Sequence, residues 1–459
     1  MLTSPVTGDS RLSFWLRVRE FAVPPSMIET ATARRLAGDW GGACAAAGFD
    51  VDLRPRSVAR VHGAELAARV RADLRHLAPD LLRWHMPRIA PDGLLRPGVT
   101  LTLARYDGNS KRPVHLVVRT PPAWADAGQR ISLALWDGSS GSEADGRHPH
   151  PPPNRRYRLD LHRHLWDARR ADELRVRSGV HDPPVTDPEV LGLLPEGRRC
   201  AVNRWAAEAG ILLRAEGRSD GRVLVRCGAR HRLALDLVAN RDGPPALRIT
   251  RASTAAGASA PAVLPDAATW ILPDLELLRT GAIGAERLHP LVAAALVPGH
   301  VPNTASTTRD PAGQPRLVEC RGVLHRIGLV DEVLAPLDHD PAEVRREELL
   351  AALSGTPLPC LRVIDETHRH PECLDDVRER LVHGDVSGAL AVVEGLLGPD
   401  AVLRGGALRD ELEAAARQRI VYGLFRAGMA GPGPGRVRFD EARLRPSARR
   451  SHPRLATRG

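Results

Sequence analysis

The densest collection of reactive side chains in the sequence lies in PCLRVIDETHRHPEC, where Cys360, Asp365, Glu366, His368, His370 and Cys373 fall within one short stretch and His383 follows. Two thiols and two imidazoles are donors that a tetrahedral zinc ion prefers. The spacing C-x7-H-x-H-x2-C therefore makes Cys360, His368, His370 and Cys373 a candidate metal set. It is not a zinc-finger arrangement, and on a helix or a strand His368 and His370 point to different sides, so both could bind only from a loop. A second chemistry is nucleophilic. Cys373, in the first turn of a helix behind Pro371, would have its thiol pKa lowered by the helix dipole, with a nearby His as base. The structural alternative has His370 capping the helix, Pro371 starting it and Cys373 packing inward. His162 and His164, in LDLHRHLWD, are expected at a surface or a helix start, and His148 and His150 lie in a Pro-rich stretch.

Several enzyme classes are closed by one residue. Lys111, in DGNSKRP, is the only lysine among 459 residues, and it fits neither a P-loop frame nor S-x-x-K, so the classes that need such a lysine are excluded. G-x-G-x-x-G, H-E-x-x-H and G-x-S-x-G are absent too. The net charge of +10 is concentrated at one end: from Gly431 to Gly459 eight Arg face only Asp440 and Glu441. Such a tail is either a solvated extension or an arm for nucleic acid or an acidic partner. The six cysteines are dispersed without C-x-x-C spacing, which fits reduced thiols. With no long apolar run and no secretory leader pattern, no membrane association and a cytoplasmic location are expected.

The elements that must position these residues follow from periodicity. Ser10 to Val23 reads as a strand, Met27 to Ala37 and Trp40 to Ala47 as short helices, and Ser57 to Leu77 as one helix stopped by Pro79. GVTLTLARY, VHLVVRTP and QRISLALW have the rhythm of an antiparallel meander. In the middle region, Leu159 to Val176 and Arg198 to Ala209 read as helices, and RVLVRCGARHRLALDLV as a hairpin with ALRITRA behind it. RLVECRGVLHRIGLV is a further hairpin; Asp340 caps a helix in DPAEVRREELLAAL, and Leu408, Leu412, Ala416, Ile420 and Leu424 make one face of another. The class expected is multidomain α+β, with mixed N-terminal and middle domains carrying antiparallel strands and a mostly helical C-terminal domain. The boundaries are a mixed domain over 1–136, a Gly/Ser/Pro-rich linker over 137–156, a small α+β domain over 157–252, a linker over 253–269, a helical domain over 270–430 and a disordered Arg-rich tail over 431–459.

RLAGDWGGACAAAG and RLVHGDVSGALAVVEGLLG share a second pattern: Gly38-Asp39-Trp40 with Gly42-Ala43, and Gly384-Asp385-Val386 with Gly388-Ala389. In each, Gly ends one helix in a left-handed conformation and Asp caps the next. These corners resemble the inter-helix turn of the tetratricopeptide repeat. Neither has a sister at the repeat's period, so isolated helical hairpins are expected, with Trp40 inserted between the hairpin and its domain.

RLVECRGVLHRIGLV, LDHDPAEVRREELLAAL and IDETHRHPECLDDVRERLVHGD, together with FAVPPSMIETATARRLAGDW and HLAPDLLRWHMPR, resemble accessory proteins of high-GC actinobacteria. The resemblance implies an association with MoxR-type AAA+ ATPases and von Willebrand A proteins in conflict or stress systems, and it carries no site residues. The function expected is that of a non-catalytic interaction or adaptor protein with a protein partner, such as a MoxR-type ATPase. Two alternatives stand beside it: a metal- or thiol-dependent enzyme centred on Cys360 to His383, and a nucleic-acid-binding accessory protein using the Arg tail. No cofactor is expected, apart from zinc at the Cys/His cluster.

Overall fold

The computed structural model describes residues 10–107, 113–126, 128–138, 151–183, 185–195, 199–228, 231–238, 246–252, 261–300, 316–320, 322–354 and 357–429. It is 50% helix and 19% strand, with several mixed and antiparallel sheets and a helical C-terminal region, as the multidomain α+β pattern predicts. His148, His150, Lys111 and the Arg-rich tail lie outside the described residues. No described helix is long and apolar enough to cross a membrane.

The described residues form two compact units, the first within 10–124 and 130–300, the second within 125–129 and 316–429. The first unit opens with α1 (Ser10–Arg17), continued by a π-helical turn over Val18–Ala22. This stretch is not the expected strand. Its neighbours Trp15 and Leu16 both pack on the core, which a strand's alternation cannot arrange, and Val18, Ala22 and Val23 are buried behind them. α2 (Pro25–Leu36) and α3 (Trp40–Ala46) make the first hairpin, with Trp40 packed against the core as expected. β1 (Phe49–Val51) follows. The single helix expected from Ser57 is broken into α4 (Pro55–His62) and α5 (Ala64–Arg75) at Gly63, whose φ of +88° is incompatible with a continuous helix. Pro79, expected as a stop, instead occupies the first turn of α6 (Pro79–Trp84).

A two-stranded ribbon, β2 (Arg88–Ile89) and β3 (Leu94–Leu95), leads to β4 (Thr100–Tyr106), β5 (Val114–Arg119) and β6 (Ile131–Trp136). These last three form the predicted meander, and β1 extends it in parallel beside β6, giving the order β1-β6-β5-β4. The helix expected from Leu159 is absent. Three 3-10 segments lead instead into α7 (Leu174–Arg177), because local side chains bond to the backbone in its place: Asp167 accepts from the Arg169 N–H, and Trp166 Nε1 donates to the Leu159 carbonyl at 3.0 Å.

A second core in the same unit gathers α8 (Pro188–Leu191), α9 (Val202–Ala215) and the sheet of β7 (Gly221–Arg226), β8 (Arg232–Val238), β9 (Ala246–Arg251) and β10 (Ala262–Val263), in the order β10-β7-β8-β9. The predicted hairpin and third strand are β7 to β9. The stretch over 261–269, read as linker, carries β10 and α10 (Asp266–Thr269). α11 (Pro273–Arg279) and α12 (Pro290–Leu296) were expected in a third domain, yet Leu275, Leu277, Val292 and Leu296 are part of the first core.

The second unit begins with an antiparallel sheet, β11 (Arg316–Cys320), β12 (Val323–Val330) and β13 (Val333–Pro336), followed by α13 (Pro341–Ser354), α14 (Pro359–Arg369), α15 (Leu374–His383), α16 (Val386–Leu397) and α17 (Ala407–Arg426). Asp340 caps α13 as read, accepting from the Ala342 N–H at 2.8 Å. On α17 the buried face differs from the expected one: Leu408 is buried, but so are Tyr422 and Phe425, whereas Ile420 is 64% exposed.

Candidate functional site

Three groups of polar or thiol side chains gather in the folded chain, and their partners decide what each can do. The first lies where the two cores of the first unit meet. α9 presents Glu208 and α7 presents Arg177, whose Nε and Nη2 donate to Glu208 Oε1 and Oε2, both at 2.6 Å. His162 Nε2 lies 3.2 Å from Glu208 Oε2, and its Nδ1 lies 3.1 Å from the Arg158 carbonyl. His162 and His164 are each 3% exposed, so the expected surface placement is corrected: the 3-10 turns around them wrap inward over α9. Burial raises the Glu208 pKa, but the two Arg177 hydrogen bonds and the His162 ring nearby outweigh it and hold the carboxyl at about 2. Burial also keeps His164 well below the ordinary imidazole range. A carboxylate this acidic and doubly clamped is a poor general base at neutral pH. The adjoining cavity, lined by His162, His164, Arg204, Glu208 and Trp270, has a volume of about 10 Å³, room for a water and not for a substrate.

The second group is deeper in the first core. Asp274 of α11 accepts from Arg19 Nη2 at 2.9 Å and from Trp84 Nε1 at 2.7 Å, while the Arg19 guanidinium lies 3.9 Å from the centre of the Trp84 ring. Nearby, His289 Nε2 is 2.9 Å from Asp80 Oδ2, and His289 Nδ1 accepts from the Leu291 N–H at 3.1 Å. An Asp–His pair resembles half of a catalytic relay, but here the second ring nitrogen caps α12. Both nitrogens are occupied, which makes the pair a fastener of α12 to α6.

The third group is in the second unit. Cys320 of β11, Cys360 of α14 and His339 of the turn between β13 and α13 each offer one ligand atom, and these atoms lie within 4.8 Å of one another. Both cysteines are fully buried, and the His339 side chain is 6% exposed. Its ring stacks on His325 of β12 at 4.2 Å between centroids, its Nδ1 lies 3.7 Å from Glu343 Oε2, and its buried Nε2 has no hydrogen-bond partner. The turn is held by Asp338, which accepts from the Arg326 N–H at 2.7 Å and from its Nη2 at 2.6 Å. Burial, with Cys320 beside it, pushes the Cys360 thiol up to about 11.

The set read from local spacing is dispersed by comparison. Cys360 begins α14, His368 is buried near its end, His370 is its exposed C-cap, and Cys373 is the N-cap of α15. No three of Cys360, His368, His370 and Cys373 bring their ligand atoms within the 4.8 Å that unites the other group. Burial raises the Cys373 thiol above its ordinary range, opposite to the activation a nucleophile needs. Cys360 was thus singled out, but its neighbours Cys320 and His339 were not. They stand 40 and 21 residues before it and converge only through the β11–α14 packing. No protein-family description, no curated protein and no solved structure matches this chain.

Proposed function

We propose that the protein is a non-catalytic interaction protein whose second unit docks a partner protein through the outward face of its three-stranded sheet. The observation that supports this is the sidedness of that sheet. α14 packs across β11, β12 and β13 on one face, where Val318, Cys320 and Ile327 are buried and only Val323 and Leu329, near the ends of β12, are exposed apolar side chains among the described residues. On the opposite face the strand register sets Leu317, Leu324, Val330 and Val333 on one side, since Leu317 pairs with Arg326, Leu324 with Glu319 and Val330 with Val333. Leu317 and Leu324 are 60% and 62% exposed, and Val330 and Val333 are exposed too. With Glu319 and Arg326 opposite Leu324 and Leu317 on the same face, these side chains make a mixed apolar and charged surface of the kind that meets another protein.

The partner implied by the sequence resemblance is a MoxR-type AAA+ ATPase. The test is calorimetric titration of the purified full chain with the MoxR-type ATPase of the same genome. Saturable binding is expected, weakened at least about tenfold by Leu317→Ser with Leu324→Ser while circular dichroism stays unchanged. Absence of binding by the wild type, or equal binding by the folded variant, refutes the proposal. So does a self-associated wild type that the same substitutions render monomeric in sedimentation, because the face would then belong to a second copy.

A further inference from the structure

The geometry points to a zinc site in the second unit, built from Cys320, His339 and Cys360, with two thiolates and one imidazole as protein ligands. It does not rest on the docking role proposed above. Two observations converge on it. The three ligand atoms lie within 4.8 Å of one another although they come from three separate elements. Independently, the imidazole of His339 is nine-tenths buried and its Nε2 has no hydrogen-bond partner, a state that costs free energy unless something accepts that lone pair or proton. Glu343 lies on the Nδ1 side at 3.7 Å, and stacking on His325 fixes the ring plane. At 3.7 Å Glu343 is beyond hydrogen-bond reach of Nδ1, but it stands on the side where a metal-bound histidine carries its outer-sphere partner, leaving Nε2 for the cation.

The donor set selects the metal class. Two sulfurs and one imidazole nitrogen favour zinc over magnesium, calcium or manganese, which take oxygen ligands. Binding would replace the two thiol protons by the cation, so both cysteines bind as thiolates and two protons are released to solvent. Three protein ligands leave a fourth position for a water or small anion in a tetrahedral shell. The fold gives such a staple work to do. Among the described residues the buried core under this sheet is small, made of Val318, Cys320, Ile327, Leu358, Cys360, Leu361 and Ile364, two of them the ligands themselves, with Leu334, Val344 and Val363 partly buried against it. Small apolar clusters of this kind are commonly reinforced by a metal or a disulfide. Zinc would tie β11, the turn that launches α13 and the start of α14 together at one point.

The experiment uses the full chain, purified with reductant, exchanged into reductant-free buffer under argon and titrated with cobalt(II) as a spectroscopic stand-in for zinc. The expected result is one equivalent bound, with the thiolate-to-cobalt charge-transfer band and the intense d–d absorption of a tetrahedral site, both lost on adding zinc. Cys320→Ser and Cys360→Ser should each reduce the charge-transfer intensity by about half or abolish binding. Cys373→Ser and His368→Gln should leave the spectrum unchanged. X-ray absorption of the zinc-loaded wild type tests the same claim without relying on a variant's folding. It should show two sulfur neighbours at about 2.3 Å and the remainder nitrogen or oxygen near 2.0–2.1 Å. A shell with no sulfur, a shell of four sulfurs, a charge-transfer band that survives the double Cys320→Ser and Cys360→Ser substitution, or failure of the reduced, folded protein to bind either metal would overturn the assignment. If the two cysteines are found joined as a disulfide and the reduced protein binds no metal, the pair is a redox staple and the zinc site is refuted.

Discussion

At the scale of single residues, the chemistry of this chain is decided by which polar groups are already satisfied. Glu208 is the clearest case. Its carboxylate is 3% exposed and lies against Arg177 and His162, and its folded pKa of about 2 lies below the ordinary value of 4.5. A depressed pKa means that the ionised form stabilises the fold, fully so above about pH 4.5, and that this contribution is lost as pH falls toward 2. Glu208→Gln should therefore destabilise the first unit by about 3 kcal/mol at pH 7, because it leaves Arg177 buried beside a neutral amide. Urea unfolding followed from pH 7 to pH 2.5 should show the gap between wild type and variant closing as acid protonates the wild-type carboxylate. A gap that stays constant across that range would show that Glu208 contributes packing and not charge. None of this was legible in the sequence, where Glu208 is one acid among many. His162 and His164 were noticed there as a pair, but their burial depends on α9, which lies some forty residues further along.

Between residue and fold, the two Gly-Asp corners show how a local signal becomes a packed element. In both, Asp accepts a hydrogen bond from the N–H three residues on, Asp39 from Gly42 at 2.8 Å and Asp385 from Gly388 at 2.9 Å. In both, the Asp N–H donates to the carbonyl five residues back, and that same residue's guanidinium meets the Asp carboxylate: Arg34 with Asp39 at 3.2 Å, Arg380 with Asp385 at 3.1 Å. Arg34 and Arg380 are therefore equivalent in the two corners, although the stretches RLAGDW and RLVHGD align Arg35 with Arg380 by their Arg-Leu pairs. The conserved geometry also explains the second glycine. A Cβ on Gly42 would sit 2.0 Å from Asp39 Oδ2, and one on Gly388 equally close to Asp385 Oδ2, so these glycines leave room for the capping carboxylate. Asp39→Ala should then cost about 1 kcal/mol through loss of the cap. Gly42→Ala should change stability little, since about 1 kcal/mol of helix propensity is offset by displacement of the cap. In the Asp39→Ala background, where nothing blocks the methyl group, Gly42→Ala should stabilise by that same amount. A double-mutant cycle by chemical denaturation reads this coupling, and additive effects would refute it. Elements of this kind were legible because their determinants are adjacent in sequence, as were the meander β4 to β6 and the hairpins β7–β8 and β11–β12. Gly63 shows the limit: the apolar stripe runs across it, but its left-handed backbone splits the expected helix in two.

For the whole molecule, the sequence suggests three domains, and the described residues within 10–124 and 130–300 instead gather into one unit with two cores. The reason is electrostatic as well as apolar. α11 and α12 bring Asp274 and His289 to partners 255 and 209 residues earlier in the chain, and no compositional shift announces so distant a pairing. Arg19 is 2% exposed and Asp274 1%, and burial lowers the Arg19 pKa even with Asp274 beside it. Each member is therefore tolerated in the core only because the other is present. Asp274→Asn removes the negative charge, leaves the Arg19 guanidinium facing an amide, and preserves side-chain volume, so the loss it produces measures the ion pair and not a cavity. A destabilisation of about 3–5 kcal/mol is expected. The second unit has its own apolar clusters, around Ile327 and around Val377, and contains none of these residues. Scanning calorimetry of the full chain should accordingly show the transition of the first unit moving to lower temperature in Asp274→Asn while that of the second unit keeps its midpoint. Adding Arg19→Met to Asp274→Asn should recover most of the loss, because an apolar side chain no longer needs a counter-ion in that position. If the double variant is no more stable than Asp274→Asn alone, the buried pair is not what fastens α11 to the first core, and the apolar contacts of Leu275 and Leu277 carry that role.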